Sequence, residues 1–310
     1  MEIIFIVLLA MVLDLALGDP PDVIHPVAWM GRVISFLERG GRTLRPRFQF
    51  FYGLGMVIFI TVLFTVPVCY LLLYLKGLNF IAYIVIAAVL LKLSFSLRGL
   101  RQAALAIRRL LAGNKINEAR FELRALVSRD TRRLPEPLLV SATVESVAEG
   151  ACDSFVAPLF YFLLFGVPGA VGYRVVNTMD AMIGYHGKYE YLGKFASWLD
   201  DVLNFIPARI TALILVVAAF LARRNGKNAW QVALREHGRT ESPNAGWPIA
   251  AMAGALDVRL EKTGHYRLGK EGALLIPETI DASVKVVYIT SLGWVLICFL
   301  VGVIHLVVTA

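Results

Sequence analysis

The sequence predicts an all-α, polytopic integral membrane protein, and three observations predict it. Of its 310 residues 58% are hydrophobic and only 17% charged, against roughly 45–50% apolar residues in soluble domains. The mean hydropathy is +0.67. Segments at roughly 50–75, 78–97 and 284–309 have the length and apolarity of spanning helices, which need about 20 mostly apolar residues. The chain reads as a single helical membrane domain, 1–310, without internal repeats, low-complexity tracts or a strand-rich region.

Residues 2–17 form a marginal first segment interrupted by Asp14. Ala16-Leu17-Gly18 has the small-x-small look of a cleavage site, but the front end carries Glu2 and no lysine or arginine. The segment is therefore expected to stay in the membrane rather than to act as a secretory signal. The loop 18–49 holds Arg32, Arg39, Arg42, Arg45 and Arg47. The turn between the two middle spans has Lys76 alone, whereas 98–155 carries ten arginines and lysines and 223–283 nine more. Positive charge beside apolar segments marks the cytoplasmic side, so these three basic stretches are expected there.

Two further apolar stretches are compromised, 156–173 by Pro158, Gly166, Pro168 and Gly169, and 205–222 by Pro207 and Arg209. Charge parity requires that both cross or that neither does. A broken, protein-buried pair is the expectation, because proline, glycine and arginine at membrane depth are tolerated where helices pack or line a cavity. Within 98–135, apolar residues at helical spacing alternate with arginines, and Gly113 and Asn114 punctuate them. A helical hairpin on the inner membrane surface is expected. The net charge of +8 comes without a nucleic-acid-binding motif, so the lipid bilayer and not nucleic acid is the expected partner of the basic residues. Cys69, Cys152 and Cys298 offer neither a paired framework nor metal-ligand spacing, and no disulfide is expected.

Polar residues in so apolar a chain are costly unless they are paired or used. They gather in five groups, 13–31, 126–134, 144–160, 173–212 and 242–256. In "VESVAEGACDSF" a helix would set Glu145, Glu149 and Asp153 on one stripe, where like charges four apart repel by about 0.2–0.5 kcal/mol. A cation relieves that repulsion. Two are open: an arginine of the preceding hairpin (Arg120, Arg124 or Arg129), or magnesium, which takes oxygen ligands, usually one or two carboxylates with phosphate oxygens.

Asp200 and Asp201 point about 100° apart on a helix, which leaves one of them for a structural role. Asn204 shares the face of Asp200. Arg209 is placed either to grip a phosphate or carboxylate or to snorkel from an apolar helix. Asn177, Thr178 and Asp180 form another polar group, with an N-cap as the competing use. His25, between Asp19-Pro20 and Pro26, suits a rigid turn. His186, His237, His265 and His305 lack metal-ligand spacing, and no glycine-rich nucleotide motif is present.

The stretches "GDPPDVIHPVAWMG", "LVSRDTRRL", "VESVAEGACDSFVAPLFY", "YRVVNTMDAMIGY", "LDDVLNFIPARITAL" and "PNAGWPIAAMAGALDVRLEKTGHYRLG" run in order from residue 18 to 269. In them the sequence closely resembles the adenosylcobinamide-phosphate synthase family of cobalamin biosynthesis (CobD/CbiB). Gly150 departs from the pattern, since many members have asparagine there. The resemblance implies an integral membrane amide ligase that joins a propionate carboxylate of adenosylcobyric acid to the amine of (R)-1-aminopropan-2-ol phosphate, or a related amino alcohol, with hydrolysis of ATP and with Mg2+. A carboxylate is a poor acylating agent, so an acyl phosphate formed from ATP is the expected intermediate.

On that reading Glu145, Glu149 and Asp153 are expected to hold magnesium, with Asp180 or Asp200 as a further ligand or as the base for the amine. Arg129 and Arg209 are expected on phosphate. Asn177, Asn204 and Asn244 would hydrogen-bond the corrinoid amides, Gly246 would allow close backbone approach to the ring, and Trp247 would stack on it. ATP is cytoplasmic, so all of these should be reachable from the inside of the cell membrane. Two other readings are open: a signalling protein of the same superfamily, and a small-molecule transporter, which would require pseudo-symmetric halves.

Overall fold

A computed structural model describes residues 1–309 apart from His186 and Glu271; the expectation for His186 lies outside the described residues. The chain divides into two compact units that interleave along the sequence. Met1–Ser96, Ala157–Asn204 and Ile297–Ala310 make the first, and Leu97–Val156 and Phe205–Leu296 the second. Five helical stretches are long and apolar enough to cross a membrane: Pro46–Leu78, Phe80–Ala112, Glu136–Ile183, Lys194–Leu221 and Pro277–Val308. The protein is a multi-pass membrane protein, all-α but for one short hairpin.

The first unit begins with α1 (Glu2–Leu17), α2 (Pro26–Gly41), α3 (Pro46–Leu78) and α4 (Phe80–Lys92). α1 lies along α4. At one end Glu2 meets Lys76 at 2.9 Å and Tyr83 at 3.2 Å; at the other Lys92 meets Asp14 at 3.0 Å and Asp19 at 2.5 Å. Asp14 is fully buried and Lys92 is 4% exposed. An isolated charge at such a place is expensive, and each of these makes the other tolerable. Asp14, which interrupts the first apolar segment, thus has its partner at the end of α4.

Pro26 starts α2 at a position that needs no N–H donor, and His25 caps it, its Nδ1 accepting from the Val27 N–H at 3.1 Å. His25 Nε2 faces Asp19 at 4.0 Å. With Nδ1 spent on the cap, and with burial before all else holding its pKa below the usual value, His25 is the turn residue its prolines predict.

α8 (Ala157–Ile183) is the decisive element. At Gly166 the backbone takes φ 68°, ψ −164°, a region essentially closed to residues with a Cβ. The helix doubles back there. The rings of Tyr161 and Tyr173 stack with centroids 5.3 Å apart, whereas twelve residues of continuous helix would separate them by about 18 Å. A Cβ on Gly169 would stand 2.5 Å from the Tyr161 carbonyl oxygen, so the two arms approach as closely as backbones can.

The returning arm passes Thr65 of α3 at Gly172 and reaches Gly31 of α2 at Met182, and Leu192 then lies against Gly41 and Gly53. Both ends of α8 therefore point to the end of the unit where α1 stops, α3 starts and α2 lies. The length and composition of Glu136–Ile183 would allow a crossing; the reversal makes this part a re-entrant pair of arms instead. The first turns of α9 (Lys194–Leu221) run back in alongside, with Tyr161 Oη donating to the Leu203 carbonyl at 2.8 Å.

In the second unit α5 (Leu97–Ala112) and α6 (Ile116–Leu123) form the expected hairpin, turning through Asn114 at φ 57°. Both pack on α7 (Glu136–Ala151). Gly150 is the point where α5 meets α7, since a Cβ there would come within 2.8 Å of Leu100. The departure from asparagine at this position serves packing. α7 runs into a π-helical turn, Cys152–Val156. The remainder of α9 is followed by α10 (Gly226–Glu236) and by α11 (Gly246–Leu256), which is buried along nearly its whole length. β1 (Leu260–Lys262) and β2 (Tyr266–Leu268) pair antiparallel with Leu260 opposite Leu268, a small hairpin the apolar pattern did not announce. α12 (Pro277–Thr309) completes the chain, its first part in this unit and its end in the other.

Gly166→Ala is expected to destabilise the protein by about 1–3 kcal/mol in thermal unfolding in detergent. Gly55→Ala, in open space within α3, should stabilise by up to about 1 kcal/mol. Equal behaviour of the two variants would contradict the reversal.

Candidate functional site

The re-entrant arms carry a polar cluster inside the first unit. Asp200, 8% exposed, accepts hydrogen bonds from the amides of Asn177 at 3.3 Å and Asn204 at 2.9 Å. The Asn204 carbonyl in turn accepts from Tyr173 Oη at 2.8 Å, and Arg174 donates to the Asn177 carbonyl at 3.3 Å. Asp180 accepts from Ser197 and lies within electrostatic reach of Asp200 and Asp201. Residues 173, 177 and 180 on one helix and 200 and 204 on the next are spaced by one helical turn, so both faces meet along a line.

Asp200 is the buried member of the consecutive pair and Asp201 the half-buried one. The structure thus brings four of the predicted residues together: Asn177, Asp180, Asp200 and Asn204. Two carboxylates in a shared, mostly buried setting cannot comfortably both stay ionised without a cation or a proton between them. Oxygen donors from Asp180 and Asp200 beside amide groups suit a hard divalent ion that also keeps phosphate oxygens.

In the second unit Glu145, 5% exposed, has a different fate. It accepts from Ser141 at 2.7 Å, from Tyr266 at 2.8 Å and from Arg129, whose Nη2 lies 3.3 and 3.4 Å from the two oxygens. Arg129 also reaches the Glu261 carbonyl, and Ser141 accepts from the Glu261 N–H at 2.8 Å. Burial, and then the Glu145 charge, push the Tyr266 hydroxyl far above the usual tyrosine range, so it remains a donor at any working pH.

Of the two cations the sequence left open for Glu145, the structure supplies Arg129. The network is a lock that fastens the β1–β2 hairpin to α7. Glu149 continues the helical stripe, but Asp153 falls in the π turn, where the 3.6-residue period no longer holds. Among the described residues no three His, Cys, Asp or Glu side chains gather as a metal-binding group.

Arg209, also in the second unit, uses one guanidinium nitrogen, Nη1, for both of its hydrogen bonds. It donates to the Phe205 carbonyl and, at 3.2 Å, to the side-chain oxygen of Asn244, which is 4% exposed. Its guanidinium lies 3.6 Å from the centroid of Phe205 and 5.1 Å from that of Trp247. The face of Trp247 is taken by His237, stacked at 3.9 Å. Gly246 does permit a close approach, but of the chain's own backbone at the His237 carbonyl, where any Cβ would collide. Gly246 and Trp247 thus pack α11 against the turn that follows α10.

Several participants escaped the sequence reading. Lys92 and Asp14 were legible in principle, since two opposite charges inside apolar segments call for one another. Tyr161 and Tyr173 read as ordinary membrane aromatics, and only the reversal at Gly166 brings them together. Glu236, 3% exposed, ties Arg235, Arg239 and the Gly269 N–H, with no local motif to reveal it.

Tyr266→Phe is expected to cost about 1.5–3 kcal/mol in thermal unfolding, the range for a hydrogen bond to a charged group. An unchanged melting temperature would show that Glu145 does not depend on the lock.

Comparison with known proteins places these features in a family. The family model described as CobD/Cbib protein matches residues 7–288. A cobalamin biosynthesis protein CobD of Dehalococcoides mccartyi (strain CBDB1) is 57% identical over 305 residues, covering 98% of each chain. Probable cobalamin biosynthesis proteins CobD of Thermoplasma volcanium and Methanothermobacter thermautotrophicus are 37% and 41% identical, covering 93% of each chain in the first case and 87% and 88% in the second. No solved structure matches. A multi-pass helical chain matched from end to end by such relatives belongs to the CobD/CbiB family of cobalamin biosynthesis.

Proposed function

We propose that the protein is an ATP-dependent amide ligase of the cell membrane that joins adenosylcobyric acid to (R)-1-aminopropan-2-ol phosphate, or a related amino alcohol, from the cytoplasmic side. The observation that carries this reading is the convergence of Asn177, Asp180, Asp200 and Asn204 on the re-entrant arms, in a chain matched by its family over residues 7–288. The ends of those arms point to the same end of the first unit as Arg42, Arg45 and Arg47, and positive charge favours the cytoplasmic face. ATP and the soluble amine are available there.

The reaction moves the γ-phosphoryl group of ATP to a carboxylate oxygen and releases ADP. The amine nitrogen then attacks the acyl phosphate carbon, the carbon–oxygen bond to phosphate breaks, and the amine proton leaves to a base. Magnesium bound with ATP would supply neutralisation of phosphate charge, and Asp200 is the residue we assign to hold it. The Asn177 and Asn204 amides hold Asp200 in place, and Tyr173 holds Asn204. Asp180 is the group left to take the proton of the attacking amine. Glu145, with its oxygens given to Arg129, Ser141 and Tyr266, positions the loop between α6 and α7.

The purified protein in detergent, given adenosylcobyric acid, the amino alcohol phosphate, ATP and magnesium, should form the amide with one ADP per product. Asp200→Asn and Asp180→Asn should each lower kcat by about 100-fold or more while the melting temperature stays near that of the parent. Absence of both product and ADP would refute the ligase reading. Full activity in both variants would remove Asp180 and Asp200 from it.

A further inference from the structure

α2 stands apart from the apolar helices around it. Its N-terminus is fixed beside the Asp19–Lys92 pair and its C-terminal turn is held where Tyr52 Oη donates to the Leu37 carbonyl at 3.1 Å. It therefore bridges the end of α1 and the start of α3, at the level where the apolar segments of the first unit begin and end. Met30 and Ile34 face inward and are buried, while Trp29 and Phe36 are 44% and 72% exposed. That is the build of a helix lying in a membrane interface.

Along its outer side runs a groove of about 360 Å³. Ala28, Gly31 and Ser35 make the floor, closed on one side by Met182 of α8, and Phe36 stands beside it. Arg32 and Arg39 line the same groove, two helical turns or about 10.5 Å apart along the axis, a gap that two long guanidinium side chains close over one phosphodiester. Arg32 donates to the Asp22 carbonyl at 3.0 Å and has donors to spare. Among the described residues Arg39 makes no hydrogen bond or ion pair, and no acidic side chain lines the groove. Glu38, its neighbour in sequence, is turned to Arg42 at 3.8 Å.

We propose that this groove is a binding site for an anionic phospholipid, with the phosphodiester held by Arg32 and Arg39 and an acyl chain laid over Ala28 and Gly31 against Met182. Charge selects the occupant. A second copy of α2 would set four arginines face to face without a counter-charge. A free phosphate would leave the apolar floor and Phe36 in water. An acidic lipid satisfies both halves of the groove, and the interfacial position of the helix presents it to the bilayer.

Detergent-solubilised protein titrated with phosphatidylglycerol, with phosphatidylcholine of the same chain length and with inorganic phosphate distinguishes the occupants, read by melting temperature and by lipid adducts in native mass spectrometry. Phosphatidylglycerol should raise the melting temperature saturably and leave adducts; the other two should not. Arg39→Gln, at an exposed and unpaired position, should weaken phosphatidylglycerol binding by tenfold or more. Gly31→Leu, which keeps the charges but fills the floor, should do the same. Equal effects of phosphatidylcholine, full reproduction by inorganic phosphate, unchanged lipid affinity in both variants, or a dimer that Arg39→Gln strengthens would each overturn the proposal.

Discussion

The polar cluster that joins α8 to α9 depends on the reversal of the chain at Gly166. A segment of 27 residues has the length to cross a bilayer, at about 1.5 Å per residue. A left-handed glycine in its middle turns it into two arms instead, with Tyr161 stacked on Tyr173. The backbone groups released at such a break need partners from the protein itself, because lipid offers none. The close packing of the arms at Gly169, and the hydrogen bond from Tyr161 to α9, supply the enclosure in which that requirement can be met. In the same enclosure Asp200 is held by the amides of Asn177 and Asn204, and Asp180 by Ser197.

Buried charge follows one rule throughout. Asp14 has Lys92, Glu145 has Arg129, and Glu236 has Arg235 and Arg239. For Asp14 and Glu145 the partner comes from another helix or from a loop, so that pairing also fixes how the elements meet. Removing one member would leave an uncompensated buried charge, which costs far more than the pair contributes. Asp180 and Asp200 depart from this rule, two like charges set close together in a mostly buried place. That contrast is the ground on which the proposed function rests.

Much of this was legible in the sequence. Apolar runs gave the spans around 50–75 and 284–309, Gly113 and Asn114 gave the α5–α6 hairpin, and the prolines and glycines of 156–173 gave the break. The grouping of Asp200 with Asn204 followed from helical spacing, and that of Asn177 with Asp180 from their nearness in sequence. What a single sequence could not carry was the outcome of competition for one side chain. Glu145 had both an arginine and a metal in view, and the choice fell to Arg129 because Ser141 and Tyr266, the latter far along the chain, complete the same lock. The π turn shifts Asp153 off the stripe without any proline or glycine to announce it. Trp247 and Gly246 read as a docking surface because nothing local says that His237 already covers them.

The sidedness of the link between α8 and α9 tests the reversal most directly. In a variant without Cys69, Cys152 and Cys298, single cysteines at Arg47, Lys188 and Gly77 can be exposed to a membrane-impermeant maleimide in sealed vesicles of known orientation. Re-entrant arms predict that Arg47→Cys and Lys188→Cys react from one face and Gly77→Cys from the other. Reaction of Lys188→Cys from the face of Gly77→Cys would mean that α8 crosses the bilayer, and would undo the placement of the candidate site.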